Sequence, residues 1–278
     1  MIDIRRIVLI GLFLFLYLFS AVAEQEKNFS FIDDLEPLID DTDITSLWLN
    51  YCRFNDLSPL IQLINLESLT IASNPNLYDI SPLIEMKNLK KLTITDCKNL
   101  IDITPIAKLE NLEYLLLNNV EPFDGAILNQ LNKLKELHIL TPITSLQNVV
   151  NKLDLENITL NIKCNNMDIR LLNNLHQLKC IVLFTKEEQK LTIDGLEKLL
   201  RLEEIYLEGF YIEDLKPLIN LPHLTIVGLN RSIIEVDVIE ELFNSSSLKV
   251  IFGPGYIDGF DEGFDYKGKY FYQTIGDR

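Results

Sequence analysis

The residues of this chain that could do chemistry are three histidines, four cysteines and a surplus of carboxylates, 41 Asp and Glu against 25 Lys and Arg. Their spacing assembles no familiar reaction centre. The chain has no zinc-binding His-Glu-x-x-His, no Cys-x-x-Cys, no phosphate-binding glycine loop and no nucleophile elbow. His138, His176 and His223 fall in three different stretches. With so many acids some carboxylate pair is inevitable, so none argues for hydrolysis. Asp258, Asp261, Glu262 and Asp265 miss the twelve-residue calcium spacing. No enzyme activity, metal or cofactor is expected. The formal net charge of −16 opposes contact with a phosphate backbone or an anionic lipid surface. It suits a protein kept dispersed by its own charge.

What positions these side chains is a repeat. The pattern Leu-x-x-Leu-x-Leu starts at Ile44, Leu66, Leu89, Leu112, Leu134, Leu155, Leu178, Leu202, Leu224 and Leu248, with spacings of 21 to 24 residues. A period of this length predicts a stacked solenoid rather than one closed core. In the unit from Leu89, the residues Leu89, Leu92 and Ile94 point inward from a short strand. Cys97 follows at the strand exit, and Leu100, Ile103, Ile106 and Leu109 turn the return segment inward. That segment, Asp102-Ile103-Thr104-Pro105-Ile106, recurs as an Asp-x-x-Pro at residues 34, 56, 79 and 214. Its Pro suits the first turn of a short helical segment, and the preceding Ser or Thr is expected to cap it.

These residues resemble the leucine-rich repeat family, in the 22-residue class of internalin-like bacterial proteins. The likeness rests on Asn74 and Cys97 at the ladder position, on the Asp-Ile-x-Pro-Leu returns, and on Asn65-Leu66, Asn88-Leu89 and Asn111-Leu112 at repeat junctions. It covers residues 34 to about 252. It implies an α/β solenoid: a leucine-rich repeat horseshoe with a parallel β-sheet on the concave face and short 3-10 or α turns on the convex face. For function it implies binding only. The ladder departs from the family pattern at Val120, Pro142, Lys186 and Phe210, and the repeats from Leu112 to Leu178 lack the Asp-x-x-Pro return.

Two further expectations follow from stacking such units. The residue after each start alternates in charge, Glu67, Lys90, Glu113, Lys135, Glu156, Lys179 and Glu203, which predicts a ladder of ion pairs along one sheet edge. The four cysteines are expected to be free thiols. Cys52 and Cys97 hold equivalent positions two strands apart, about 9 to 10 Å and too far for a bridge. Cys164 follows its strand, whereas Cys180 lies within the next one.

Concave-face side chains fall two, four and six residues after each start, because a strand alternates its side chains. Two apolar groups result. Tyr114, Leu116, His138 and Leu140 form one; Val182, Phe184 and Tyr206, with Cys180 beside them, form the other. Trp48 stands alone near the N-terminal end. These are the candidate ligand-binding residues, since exposed apolar surface and aromatic anchors mark protein interfaces.

The chain divides into a signal peptide (1–23), an N-terminal cap (24–43), about nine to ten repeats (44–252) and a glycine- and aromatic-rich C-terminal cap (253–278). Arg5 and Arg6, the apolar run 7–19 and Ala21-Val22-Ala23 read as an export signal. Cleavage after Ala23 is favoured over an uncleaved anchor, because the run is short for a span. The expected protein is exported to the periplasm, the cell surface or the medium, without a stable membrane anchor. It is expected to be non-enzymatic and to grip a protein partner through its concave face. The alternative is a surface adhesin or invasion factor of internalin type.

Overall fold

The computed structural model describes residues 26–38, 40–143, 154–163, 167–234, 242, 247–253, 264–266 and 269–273. Each repeat start is followed two residues later by a strand. In chain order these are β1 (Glu26–Ser30), β2 (Ser46–Asn50), β3 (Ser68–Ala72), β4 (Lys91–Thr95), β5 (Tyr114–Asn118), β6 (Glu136–Ile143), β7 (Asn157–Ile162), β8 (Cys180–Lys190), β9 (Glu204–Tyr211), β10 (Ile226–Gly228) and β11 (Val250–Gly253). All pair in parallel with their sequence neighbours, β13 (Lys269–Gln273) adds in parallel to β11, and β12 (Phe264–Tyr266) closes the row antiparallel. The result is an open sheet with a short turn behind most strands, the parallel sheet and helical turns of the expected solenoid. The export signal at 1–23 and Cys164 lie outside the described residues. So does the C-terminal cap, apart from the backbone of residue 253 and of β12 and β13.

The core is one continuous column. Leu89, Leu92, Ile94, Cys97, Leu100, Ile103, Ile106 and Leu109 are all buried, and their equivalents stack above and below. The N-terminal segment joins this column rather than merely covering it. Its strand β1 registers Glu26 with Ser46 and Ser30 with Asn50, and its Leu35 and Leu38 are buried.

The return turns are mostly 3-10, with one α turn at Lys216–Ile219. Their cap differs from the sequence expectation. The Ser or Thr before the Pro does not cap. Instead the Asp two residues earlier accepts from that residue's backbone N–H, as Asp56 does from Ser58 at 2.7 Å and Asp79 from Ser81 at 2.8 Å. A carboxylate side chain reaches an N–H two residues on, as in an Asx turn. The same bond survives where Pro is missing, from Ala126 N–H to Asp124 and from Arg170 N–H to Asp168. The aspartate is therefore shared by these turns, whereas at Leu196–Lys198 Glu197 accepts from the Gly195 N–H instead.

The strand exit shows a second regularity. Phe31, Tyr51, Ser73, Asp96, Asn119 and Arg231 have positive φ of 50° to 61°, and Gly209 has 83°. Those from Tyr51 onward lie seven residues after their repeat starts, and five of the seven donate N–H to the residue six after the next start, as Tyr51 does to the Ala72 carbonyl. For a residue with a side chain this left-handed conformation costs roughly 1 kcal/mol or more. Thr141, Ile162 and Thr185 hold the same position without the turn, and there β6 and β8 run on to Ile143 and Lys190. That is how the middle departs from the regular repeat.

Behind the exit lies the ladder position. Asn74 is fully buried and its amide donates to the carbonyls of Ala72 at 2.9 Å and Leu49 at 3.1 Å. Cys52 and Cys97 each donate a weaker S–H bond to the carbonyl two residues back. Both are free thiols, as is Cys180. Val120 and Phe210 occupy the position as buried apolar residues, and their N–H groups go to the Thr141 and Ser232 hydroxyls of the next repeat. Pro142 and Lys186 are exposed, because their strands continue past the position.

The expected charge ladder forms only in places. Lys90 pairs with Glu67 at 2.8 Å and Lys179 with Glu156 at 2.7 Å, the latter holding the Glu156 carboxyl below its usual range. Lys135 turns instead to Asp154 at 3.0 Å. Exposed pairs differ too little in energy to enforce one choice.

Asn74→Val removes both buried amide donors, leaving the Ala72 carbonyl only its bond from Tyr51, and is expected to cost about 2 kcal/mol, whereas Asn74→Cys keeps one weak donor and loses less. Chemical denaturation of both variants checks the order.

Candidate functional site

The concave face is read from the strand register. Leu116 lies opposite His138, His138 opposite Thr159, Thr159 opposite Val182, and Val182 opposite Tyr206. The two apolar groups expected from the sequence are therefore one row across five strands, joined by Thr159. Leu140 and Phe184 lie one step further along, linked by Asn161, whose amide donates to the Leu140 carbonyl at 2.9 Å. Asn161 is in register with Phe184. Trp48 stays apart, half-buried between Asn28 and Thr70.

Local geometry modifies which of these side chains meets solvent. Tyr114 hydrogen-bonds the Thr93 hydroxyl, and its ring lies 5.2 Å from the His138 ring. Thr93 and His138 are the two register neighbours of Leu116. The tyrosine ring thus lies over Leu116, which is only 4% exposed despite its concave position. The expectation that Leu116 faces solvent is corrected accordingly: it supports Tyr114 rather than offering surface. Burial, reinforced by the nearby Glu136 charge, pushes the Tyr114 hydroxyl pKa up.

Tyr206 is held differently. A Cβ on Gly228 would clash with its ring, so the ring lies directly on the bare backbone of the next strand. Its hydroxyl donates to Glu204 at 3.0 Å, and burial followed by the Glu204 charge raises its pKa. His138 is fixed between Thr159, 2.9 Å from its Nδ1, and Glu136, 3.8 Å from its Nε2. Thr93, Glu136, Thr159, Asn161 and Glu204 thus do the positioning. All sit at the same two, four and six offsets, but polar type gave no reason to single them out.

The Cys180 thiol is pushed up to about 12, chiefly by burial and further by Glu204, Glu136 and Glu203, so it stays a protonated, weak nucleophile near neutral pH. Among the described residues no group of three or more His, Cys, Asp or Glu could hold a metal, and no helix is long and apolar enough to cross a membrane.

No family model matches the sequence, and no curated protein matches it. Solved structures do. An internalin from Listeria monocytogenes shares 25% identity over 80% of this chain and 71% of that one, with a TM-score of 0.61. The chain has the leucine-rich repeat fold seen in that internalin. A second internalin of that organism, internalin C2, shares 25% identity over 74% of this chain and 77% of its own, with a TM-score of 0.46. The leucine-rich repeat solenoid also superposes on the Arabidopsis receptor kinase HAESA, solved with a peptide hormone and a co-receptor. There the identity is 17%, the coverage 82% of this chain and 40% of that one, and the TM-score 0.56. Such proteins suggest protein–protein interaction for this leucine-rich repeat chain.

Two outcomes check this geometry. Gly228→Val should dislodge Tyr206 and cost about 1 to 3 kcal/mol by overpacking, read by denaturant unfolding. In a Cys164→Ser background, Cys52, Cys97 and Cys180 should resist a disulfide reagent at pH 8 in the native state. Glu204→Gln removes a charge that opposes the thiolate, so Cys180 labelling should quicken by about two- to fivefold.

Proposed function

We propose that this is an exported, non-enzymatic binding protein that grips a protein partner with its concave sheet. The observation that carries the reading is the row from Tyr114 to Tyr206, in which two tyrosines, a histidine and Val182 are held by neighbouring strands, with Leu116 buried beneath Tyr114. A partner would meet surface whose torsions are already restrained, which lowers the entropy lost on association. Large aromatic anchors in such settings supply much of an interface's energy. The acidic balance of the chain opposes nucleic acid as the ligand. Trp48, Leu140, Val182 and Phe184 extend the same face.

A second reading, a surface adhesin or invasion factor, is favoured by the internalin likeness at 25% identity. Protease shaving of whole cells separates the two, since an adhesin must be accessible from outside.

The test of the first reading is a pulldown from native extracellular or envelope material with the wild type and with Phe184→Asp/Tyr206→Asp. Circular dichroism first establishes that both are folded. A partner held by the wild type and weakened about thirtyfold or more in the variant supports the later concave strands as the site. A partner held equally by both rules them out.

A further inference from the structure

The N-terminal rim of the solenoid carries an anomaly that the concave face does not explain. The left-handed strand-exit position takes a small polar residue or Gly at Ser73, Asp96, Asn119 and Gly209, and Arg231 there bonds back to its neighbours. At the first two strand exits it takes Phe31 and Tyr51. Bulky residues are ill suited to positive φ. Nor are these two buried in return: Phe31 is 77% exposed and Tyr51 59%. Their rings stack on each other, 5.5 Å apart and 11° from parallel. Ser73, next along the row, ends the stack on one side, and both rings keep most of their surface exposed among the described residues.

The surroundings give the chemistry of what would cover them. Between residues 26 and 55 lie seven carboxylates and two bases, and one base, Lys27, is already paired with Asp41 at 2.9 Å. Asp33 follows Phe31 by two residues and is near enough to oppose ionisation of the Cys52 thiol. Among the described residues it forms no ion pair; Arg53, whose N–H reaches the Ile32 carbonyl, is the second base. Flat aromatic faces beside unneutralised carboxylates match a guanidinium, which stacks on a ring while its edge donates to a carboxylate.

We propose that the Phe31–Tyr51 stack is a docking platform for an arginine-bearing segment of a basic protein partner. It lies at the strand exits of the first repeats, apart from the row between Tyr114 and Tyr206, and does not depend on the function proposed for that row.

Fluorescence anisotropy tests this with the whole protein and a labelled peptide of alternating Gly and Arg, with matched Lys and Glu peptides as probes. The Arg peptide should bind, the Lys peptide about threefold or more weakly, and the Glu peptide not at all. Phe31→Asn/Tyr51→Asn should weaken the Arg peptide about tenfold while leaving the melting temperature unchanged or raised, because Asn tolerates the left-handed turn. Asp33→Asn should weaken it further and flatten its salt dependence. Phe184→Asp/Tyr206→Asp should bind the Arg peptide normally. Three results overturn the proposal: binding by the double Asn variant within twofold of wild type, equal binding of the Arg and Lys peptides, or a fall in its melting temperature of more than about 5 °C, which makes the stack a structural brace.

Discussion

One carbonyl per repeat ties this molecule together. It belongs to the residue after each repeat start, and it accepts two successive N–H groups from the next repeat. The Thr45 oxygen takes Glu67 and Ser68, the Glu67 oxygen takes Lys90 and Lys91, and the series continues through Lys90, Glu113, Lys135, Glu156, Lys179 and Glu203. The primary bonds are short, near 2.8 Å throughout. Since each repeat buries its leucines only against its neighbours, this bond fixes where one layer ends and the next begins. It passes unbroken through the repeats that lose the proline return and the left-handed exit. Side chains at that position are free to vary, because the backbone does the joining. That is why the alternating charges there pair only in part.

The irregular middle and the candidate site are the same region. Where the strand exits cleanly, a left-handed residue turns the chain and a buried donor closes the position behind it. From β6 to β8 that turn is absent, the strands lengthen, and polar side chains become buried on or beside the face: Thr141, Thr159, Asn161, Thr185 and Gln189. Buried polar groups are costly unless bonded, and most of these are bonded to their neighbours, Thr141 to Val120 and Asn161 to Leu140. Departures from an otherwise consistent code concentrate where function makes its own demands. The row of Leu116, His138, Thr159, Val182 and Tyr206 crosses this stretch.

Much of this could be read from the chain. The period gave where each repeat's strand begins, and the two-residue alternation gave the inward column from Leu35 to Leu248. The row structure of the concave face followed from the same offsets. What stayed hidden was the direction in which a side chain leans. Tyr114 covers Leu116, and Tyr206 rests on Gly228, because a tyrosine can swing across a neighbouring position and the pattern of apolar types does not say which way. The turn cap was misread for a related reason. Ser58, Ser81 and Thr104 are good capping types, but a carboxylate two residues earlier reaches their N–H groups first.

Exposed charge and buried order divide the labour along the solenoid. The inward apolar column is nearly uniform along the described repeats, so it distinguishes none of them. Distinction comes from what each repeat displays at a fixed set of offsets. The exit position shows this most plainly: Ser, Asp, Asn and Gly satisfy its backbone cheaply, and Arg231 uses it to reach Glu208 and the Thr185 carbonyl. Phe31 and Tyr51 neither relieve the turn nor enter the core. A residue that costs the fold and contributes little to it has to be accounted for by what lies outside the fold. On a surface this acidic, the outside partner with matching chemistry is a cation with a flat face.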